Sequence, residues 1–197
     1  MSQTARVEAK ARLRRQLQAA RAALSPALRR DFSERIRARV LAIPEVRHGA
    51  TVFCFISHGT EADTHALLDA LLRDGKTIVV PHVLPEHRMI AVRFGGWTDL
   101  RPGTLGIPTP TRAIEFCGDI DVCITPGIGF SVCGQRLGHG RGYYDQWFAG
   151  HAVRCKVAVA FECQLLAALP VNAHDVPVDA IATEQRLIRT VQPAAPD

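Results

Sequence analysis

The segment that most restricts the fold lies near residue 140. Residues 119–125 (DIDVCIT) form a short apolar run rich in β-branched side chains, which predicts a buried strand, and Pro126 and Gly127 end it. Residues 143–148 have helical character and close at Ala149 and Gly150. Between these elements, residues 136–145 read RLGHGRGYYD, with glycine at 138, 140 and 142. A strand, a long glycine loop and a helix in this order predict an α/β protein with a ligand outside the carboxyl ends of parallel strands. A plain turn needs one or two glycines, not three alternating with bases.

The same ten residues indicate the ligand. Alternating glycines let the backbone approach it closely. Arg136, His139 and Arg141 bring basic groups to that bare backbone, and Asp145 closes the run with a carboxylate. Amides, guanidinium groups and an acid together suit a polyphosphate accompanied by Mg²⁺. Two common phosphate motifs are absent. A dinucleotide fingerprint would need glycine where Tyr143 stands. Gly75-Lys76-Thr77 resembles the end of a Walker A loop, but the first glycine would fall at Ala70 and a strand follows, so Gly75 reads as a helix C-terminal glycine.

Elsewhere strands and helices alternate. Strands are predicted at 51–56, 77–83, 89–94, 156–161 and 178–183, and helices at 63–73 and 162–169. Residues 95–118 are rich in Gly, Pro and Thr and read as a long irregular connection, while residues 192–197 read as a frayed end. Two helices precede the first strand. Residues 5–24 carry an apolar stripe of Leu13, Leu17, Ala20 and Leu24. Ser25 caps the second helix, Pro26 sits in its first turn, and Pro44 stops it; Leu28, Phe32, Ile36 and Val40 are its apolar face. The expected fold is one α/β domain of 197 residues: a mainly parallel sheet with helices on both faces and two N-terminal helices.

The first helix bears on function as well. At about 100° per residue, Lys10, Arg14 and Arg21 cluster along one edge of its apolar stripe, while Arg12 and Arg15 point elsewhere. That edge is either the rim of a pocket or a solvated basic face with snorkelling stems. Half of the 24 Lys and Arg residues lie within the first 47 positions, and the net charge is +5. Such an excess fits nucleic acid or an anionic small ligand. Phe32 alone offers an aromatic ring in those 47 residues, and it lies on an apolar face, so no nucleic-acid partner is expected.

Composition excludes other classes. Hydrophobic content of 47% and charged content of 22% are those of a water-soluble globular chain. No apolar run is long enough to span a membrane, and no signal-peptide core is present; with reduced cysteines this predicts a cytoplasmic protein. The six cysteines form no C-x-x-C pair and several lie in apolar strands, so they read as core thiols rather than a zinc site or disulfide framework. No H-E-x-x-H or G-x-S-x-G occurs.

Four blocks, in order, resemble the 5-formyltetrahydrofolate cyclo-ligases, also called 5,10-methenyltetrahydrofolate synthetases. Residues 10–14 (KARLR) are similar to the family's K-x-x-L-R start, and residues 61–64 (EADT) to its E-[VIL]-[DE]-T. The third block is residues 120–145 with R-L-G-x-G-x-G-Y-Y-D. The fourth is Leu169-Pro170, His174-Asp175 and Val178-Asp179. Ser131 departs from the family's usual Asp, and His139 fills a variable position.

The resemblance implies an enzyme that uses ATP and Mg²⁺ to convert 5-formyltetrahydrofolate to 5,10-methenyltetrahydrofolate, with no obligate protein partner. It implies nucleotide binding by Lys10, Arg14, Arg136, Leu137, Gly138, His139, Gly140, Arg141, Gly142, Tyr143 and Tyr144. Folate binding falls to Ile56 and Glu61 together with His139, Gly140, Arg141, Gly142 and Tyr143. Arg141 and Tyr144 are the implied catalytic residues, and Asp145 and Asp179 the Mg²⁺ ligands. The alternative reading of Glu61 or Asp63 is a helix N-cap group, and that of Asp179 an exposed strand-end acid. A non-catalytic folate-binding module on the same fold is the rival reading.

Overall fold

The computed structural model describes residues 2–103, 108–172 and 174–190; the tail predicted to fray, 192–197, lies outside them. The chain opens with α1 (Gln3–Ala22), whose N-cap Ser2 accepts from the Ala5 amide. Ser25 caps α2 (Pro26–Ala42) by accepting from Leu28 N, as its sequence predicts. Pro44 does more than end that helix: as an N-terminal proline it starts a short helix, α3 (Pro44–His48). β1 (Thr51–Cys54), α4 (His65–Arg73), β2 (Thr77–Val83) and β3 (Met89–Arg93) follow. Gly75, at φ 75°, ends α4 with the Lys76 amide on Leu71 O, the expected C-terminal glycine rather than a phosphate loop.

The long connection contains a small hairpin, β4 (Leu100–Pro102) with β5 (Pro108–Pro110). β6 (Ile120–Thr125) leads to a hairpin, β7 (Gly129–Ser131) with β8 (Arg136–Leu137), then to the glycine loop and α5 (Tyr143–Gly150). β9 (Val153–Val159), β10 (Leu165–Leu166), β11 (Ala180–Ala182) and β12 (Leu187–Arg189) complete the chain.

The main sheet has the order β12-β11-β9-β6-β1-β2-β3. Its five central strands are parallel, and β3 and β12 are antiparallel edges. Side chains alternate between faces. Val52, Cys54, Val122 and Ile124 pack under α2, α3 and α4 through Ile36, Val40, Val46, Leu67 and Leu71. Phe53 and Cys123 point the other way, onto Trp147, Tyr143 and Tyr144 of α5. Helices therefore cover both faces, as expected. α1 packs Leu13 and Leu17 on Ile128, just before β7, and on Leu137 of the small β10-β7-β8 sheet.

One predicted helix is absent. Residues 162–164 make a single 3₁₀ turn, and Leu165–Leu166 pair in parallel with β7. Gln164 explains this. Its buried amide donates to Gly127 O and Ile128 O, both at 3.0 Å, and its Oε1 accepts from Phe161 N. Those bonds tie the segment to the β6–β7 connection and stop a helix from propagating.

Candidate active site

The sheet order places the site. From β1 the chain crosses to β2 on one side, while β6, β9 and β11 extend on the other. The carboxyl ends of β1 and β6 thus flank the point where strand order reverses, where α/β sheets open a crevice. The loop after β1 carries Glu61, and the segment after β6 carries the hairpin and the glycine loop.

The hairpin sets the start of the glycine loop. Ser131 N donates to Gln135 O, and Ser131 Oγ accepts from Gln135 N at 3.2 Å. Ser131, fully buried, therefore closes the β7–β8 turn. Arg136 on β8 is 7% exposed and bonds Asp145 Oδ1 through Nη2 at 2.7 Å. Gly138 lies against that guanidinium: a Cβ there would sit 3.2 Å from Arg136 Nη1. Gly140 and Gly142 hold φ of 105° and 71°, which side chains rarely adopt. Gly142 is also the N-cap of α5 and brings no capping side chain. Among the described residues, the amides of residues 138–145 donate to no other group and so are open donors.

The edge of α1 meets this loop. Arg14 Nε donates to Gly138 O at 2.8 Å, and its guanidinium lies beside Gly140. Lys10 Nζ pairs with Asp175 Oδ2 at 2.5 Å, with both side chains largely buried. Arg21 Nε donates to Thr60 Oγ1 at 3.0 Å, in the loop that carries Glu61. Lys10, Arg14 and Arg21 thus turn toward the body of the fold rather than forming a solvated basic face, while Arg12 and Arg15 are exposed. Asp175 as the partner of Lys10 was not read from the sequence. Its signal is there, since the H-D block of the C-terminal segment must face some cation.

Glu61 closes a turn before α4 rather than capping the helix, whose N-cap is Thr64. One oxygen accepts from His58 N at 2.9 Å and closes the turn; the other lies 3.4 Å from His139 Nε2 on the glycine loop. Glu61, His139, Arg14, Arg136 and Asp145 thus form one contiguous group. Arg141 is exposed and has no partner among the described residues.

Three expected roles meet a different geometry. Ile56 is 3% exposed within the core under α4, because alternation past β1 turns its side chain inward. The Tyr144 hydroxyl is enclosed without a hydrogen-bond partner, and burial pushes its pKa well above the usual phenol value. Its ring stacks on Phe53 at 5.9 Å and carries the Arg136 guanidinium 5.5 Å above it, so it supports Arg136 rather than presenting a proton-transfer group. Asp179 Oδ2 accepts from Lys156 N at 2.7 Å and lies 3.1 Å from Lys156 Nζ.

Both Asp145 contacts, from Arg136 and from Val176 N at 3.2 Å, fall on Oδ1. Oδ2 takes no hydrogen bond among the described residues. No group of three or more His, Cys, Asp or Glu side chains suited to a metal occurs among the described residues. Cys54, Cys123 and Cys155 are buried strand thiols, and burial raises the pKa of each, that of Cys155 to about 11. They are inert packing groups. A larger hollow of about 890 Å³ lies over β3 and residues 110–118, and none of its lining belongs to α1, the glycine loop or the loop after β1.

Fold and site together define an α/β protein with a basic, glycine-rich candidate site at its sheet switch point. The sequence profile of the 5-formyltetrahydrofolate cyclo-ligase family matches residues 6–184. The 5-formyltetrahydrofolate cyclo-ligase of Escherichia coli K12 is 31% identical over 174 residues, covering 85% of this chain and 96% of its own. That of Mycolicibacterium smegmatis is 33% identical, covering 70% and 75%. The solution structure of Aquifex aeolicus 5,10-methenyltetrahydrofolate synthetase superposes with a TM-score of 0.83 at 29% identity, covering 95% and 96%. The chain belongs to the 5-formyltetrahydrofolate cyclo-ligase family of enzymes. No helix among the described residues is long and apolar enough to cross a membrane.

Proposed function

We propose that this protein uses ATP to close 5-formyltetrahydrofolate into 5,10-methenyltetrahydrofolate, releasing ADP and phosphate. The observation that carries the reading is the row of loop amides without acceptors, with Arg14 bonded to Gly138 O, Arg136 and Arg141 on the same segment, and His139 Nε2 of the loop 3.4 Å from the Glu61 carboxylate. One side of that row suits phosphates and the other suits the N–H donors of a pterin. The N5-formyl oxygen is a poor leaving group. Phosphoryl transfer from ATP turns it into a phosphate ester, N10 of the same folate attacks the formyl carbon, and phosphate leaves as the ring closes. The attack is intramolecular, so positioning contributes up to about 7–11 kcal/mol.

Arg136 and the amides of residues 138–142 hold the phosphates, and the unpaired Arg141 closes on the transferring group. Arg14 orders the loop, and Lys10 adds positive charge from beside Asp175. Glu61 fixes the pterin ring. Mg²⁺ held at Asp145 would neutralise phosphate charge. Asp179 is a second carboxylate whose metal binding competes with Lys156. Incubation with ATP, Mg²⁺ and 5-formyltetrahydrofolate tests the proposal: the methenyl product absorbs in the near-UV, and a folate-binding module without turnover would yield no such band.

A further inference from the structure

Between β10 and β11 the chain forms a strap fastened at both ends to the β7–β8 turn. Leu169 N donates to Gln135 Oε1 and Val178 N to Gly134 O, each at 2.9 Å. Leu169 itself is buried and packs with Leu13 and Leu17 of α1. The middle of the strap makes three further bonds. Asn172 Oδ1 accepts from Arg6 Nη1 at 3.4 Å, Asp175 Oδ2 pairs with Lys10 Nζ at 2.5 Å, and Val176 N donates to Asp145 Oδ1 at 3.2 Å. That Asp145 oxygen also holds Arg136. One strap thus touches the cationic edge of α1 and the carboxylate that anchors Arg136.

Asp175 is an unexpected residue in this position, because a carboxylate beside a site for anions repels them. The local turn does not require its charge. Asp175 Oδ2 accepts from Asn172 N at 2.8 Å, which a neutral amide oxygen would also do, and Asp175 N returns a bond to Asn172 O at 3.1 Å. The Lys10 ammonium does require it. Lys10 is 8% exposed, and Asp175 is its one hydrogen-bond partner among the described residues. Burying an ammonium without a counter-charge is costly, and the flexible lysine stem would otherwise carry it toward water. An ammonium has three donors, so the single bond to Asp175 leaves two for a ligand. Arg14, one helical turn along the same edge, is bonded to the glycine loop at Gly138 O.

Resting on the nucleotide reading proposed above, we infer that Asp175 is the positioning residue for Lys10: it holds the ammonium where the nucleotide phosphates meet it. Asp175 does not itself touch phosphate, and its effect on the nucleotide passes through Lys10. The bonds from Arg6 and to Asp145 keep the strap in register with α1 and α5.

The test is a double-mutant cycle on the full-length chain. ATP with Mg²⁺ and, separately, 5-formyltetrahydrofolate are titrated at equilibrium into the wild type, Lys10→Met, Asp175→Asn and the double variant. Asp175→Asn keeps an acceptor for Asn172 N, so the turn survives. It should weaken ATP binding about tenfold and leave folate binding unchanged. In the Lys10→Met background the same change should cause no further loss. Asp175→Glu, which keeps the charge, should bind ATP more tightly than Asp175→Asn. In steady state the KM for ATP should rise more than kcat falls. Unchanged or tighter ATP binding by Asp175→Asn would overturn the inference. So would an equal loss of ATP and folate affinity, the mark of a general structural role, or a full additional loss in the Lys10→Met background. A wild type that binds folate but not ATP, or Lys10→Met with wild-type ATP affinity, would instead remove the nucleotide reading of this edge, and the inference with it.

Discussion

Arg14 joins the N-terminal helix to the loop by a bond to Gly138 O. Arg14→Ala should therefore raise the KM for ATP about tenfold, worth roughly 1.4 kcal/mol, with little change in the KM for folate. Equal changes in both constants would return the residue to a general structural role. Glu61→Gln should do the reverse. Its amide can still accept from His58 N, so the turn survives while the charge opposite the pterin donors is lost. Wild-type folate affinity would leave Glu61 with only its turn-closing bond to His58 N. Asp145→Asn keeps an Oδ1 acceptor for Arg136 and Val176 N, so the melting temperature should hold while kcat falls steeply and the Mg²⁺ requirement rises. Unchanged turnover with a lowered melting temperature would remove the metal assignment. The same change at Asp179, paired with Lys156, should cost about 1 kcal/mol of stability and move the Mg²⁺ requirement less than Asp145→Asn does.

At the scale of elements, the glycine loop is shaped by backbone conformation as much as by charge. Gly142→Ala places a Cβ at φ 71°, and should cost about 1–2 kcal/mol of stability together with part of the ATP affinity. The start of α4 offers a pH test. The bond to Asp63 raises the His65 pKa above its ordinary 6.5, despite partial burial, and His65 in turn lowers that of Asp63 from 3.8 to about 2. The raised histidine contributes stability that is full below 6.5 and is lost as pH rises through its folded value; the lowered acid contributes stability above 3.8 that is lost toward 2. Both side chains are about half exposed, so the effect is small. Melting scans from neutral to mildly alkaline pH should show a decline that His65→Gln lacks. Elements with a strong period were legible in the sequence: α2 with its Ser25 cap, β2 to the residue, and α5. The β7–β8 hairpin, β10 and β12, of two or three residues each, were not. Strands that short are held by partners such as Gln164 and carry no period of their own.

At the scale of the molecule, the parallel sheet was legible from alternation, but its strand order was not, because crossover choice depends on which faces meet. That order brings Glu61 and the glycine loop, far apart in sequence, to within 3.4 Å through His139. The site was legible as residue types along α1 and the loop. What stayed hidden were the pairings made across the fold, Lys10 with Asp175 and Arg21 with Thr60, and the inward turn of Ile56 and the Tyr144 hydroxyl. The proposed chemistry depends on the two substrates meeting at this junction, so that ATP phosphorylates the formyl oxygen before the ring closes. The direct test is single-turnover reaction of 5-formyltetrahydrofolate labelled with ¹⁸O in its formyl group. The account predicts that the label appears in the inorganic phosphate released. Label released into water, with unlabelled phosphate, would contradict it.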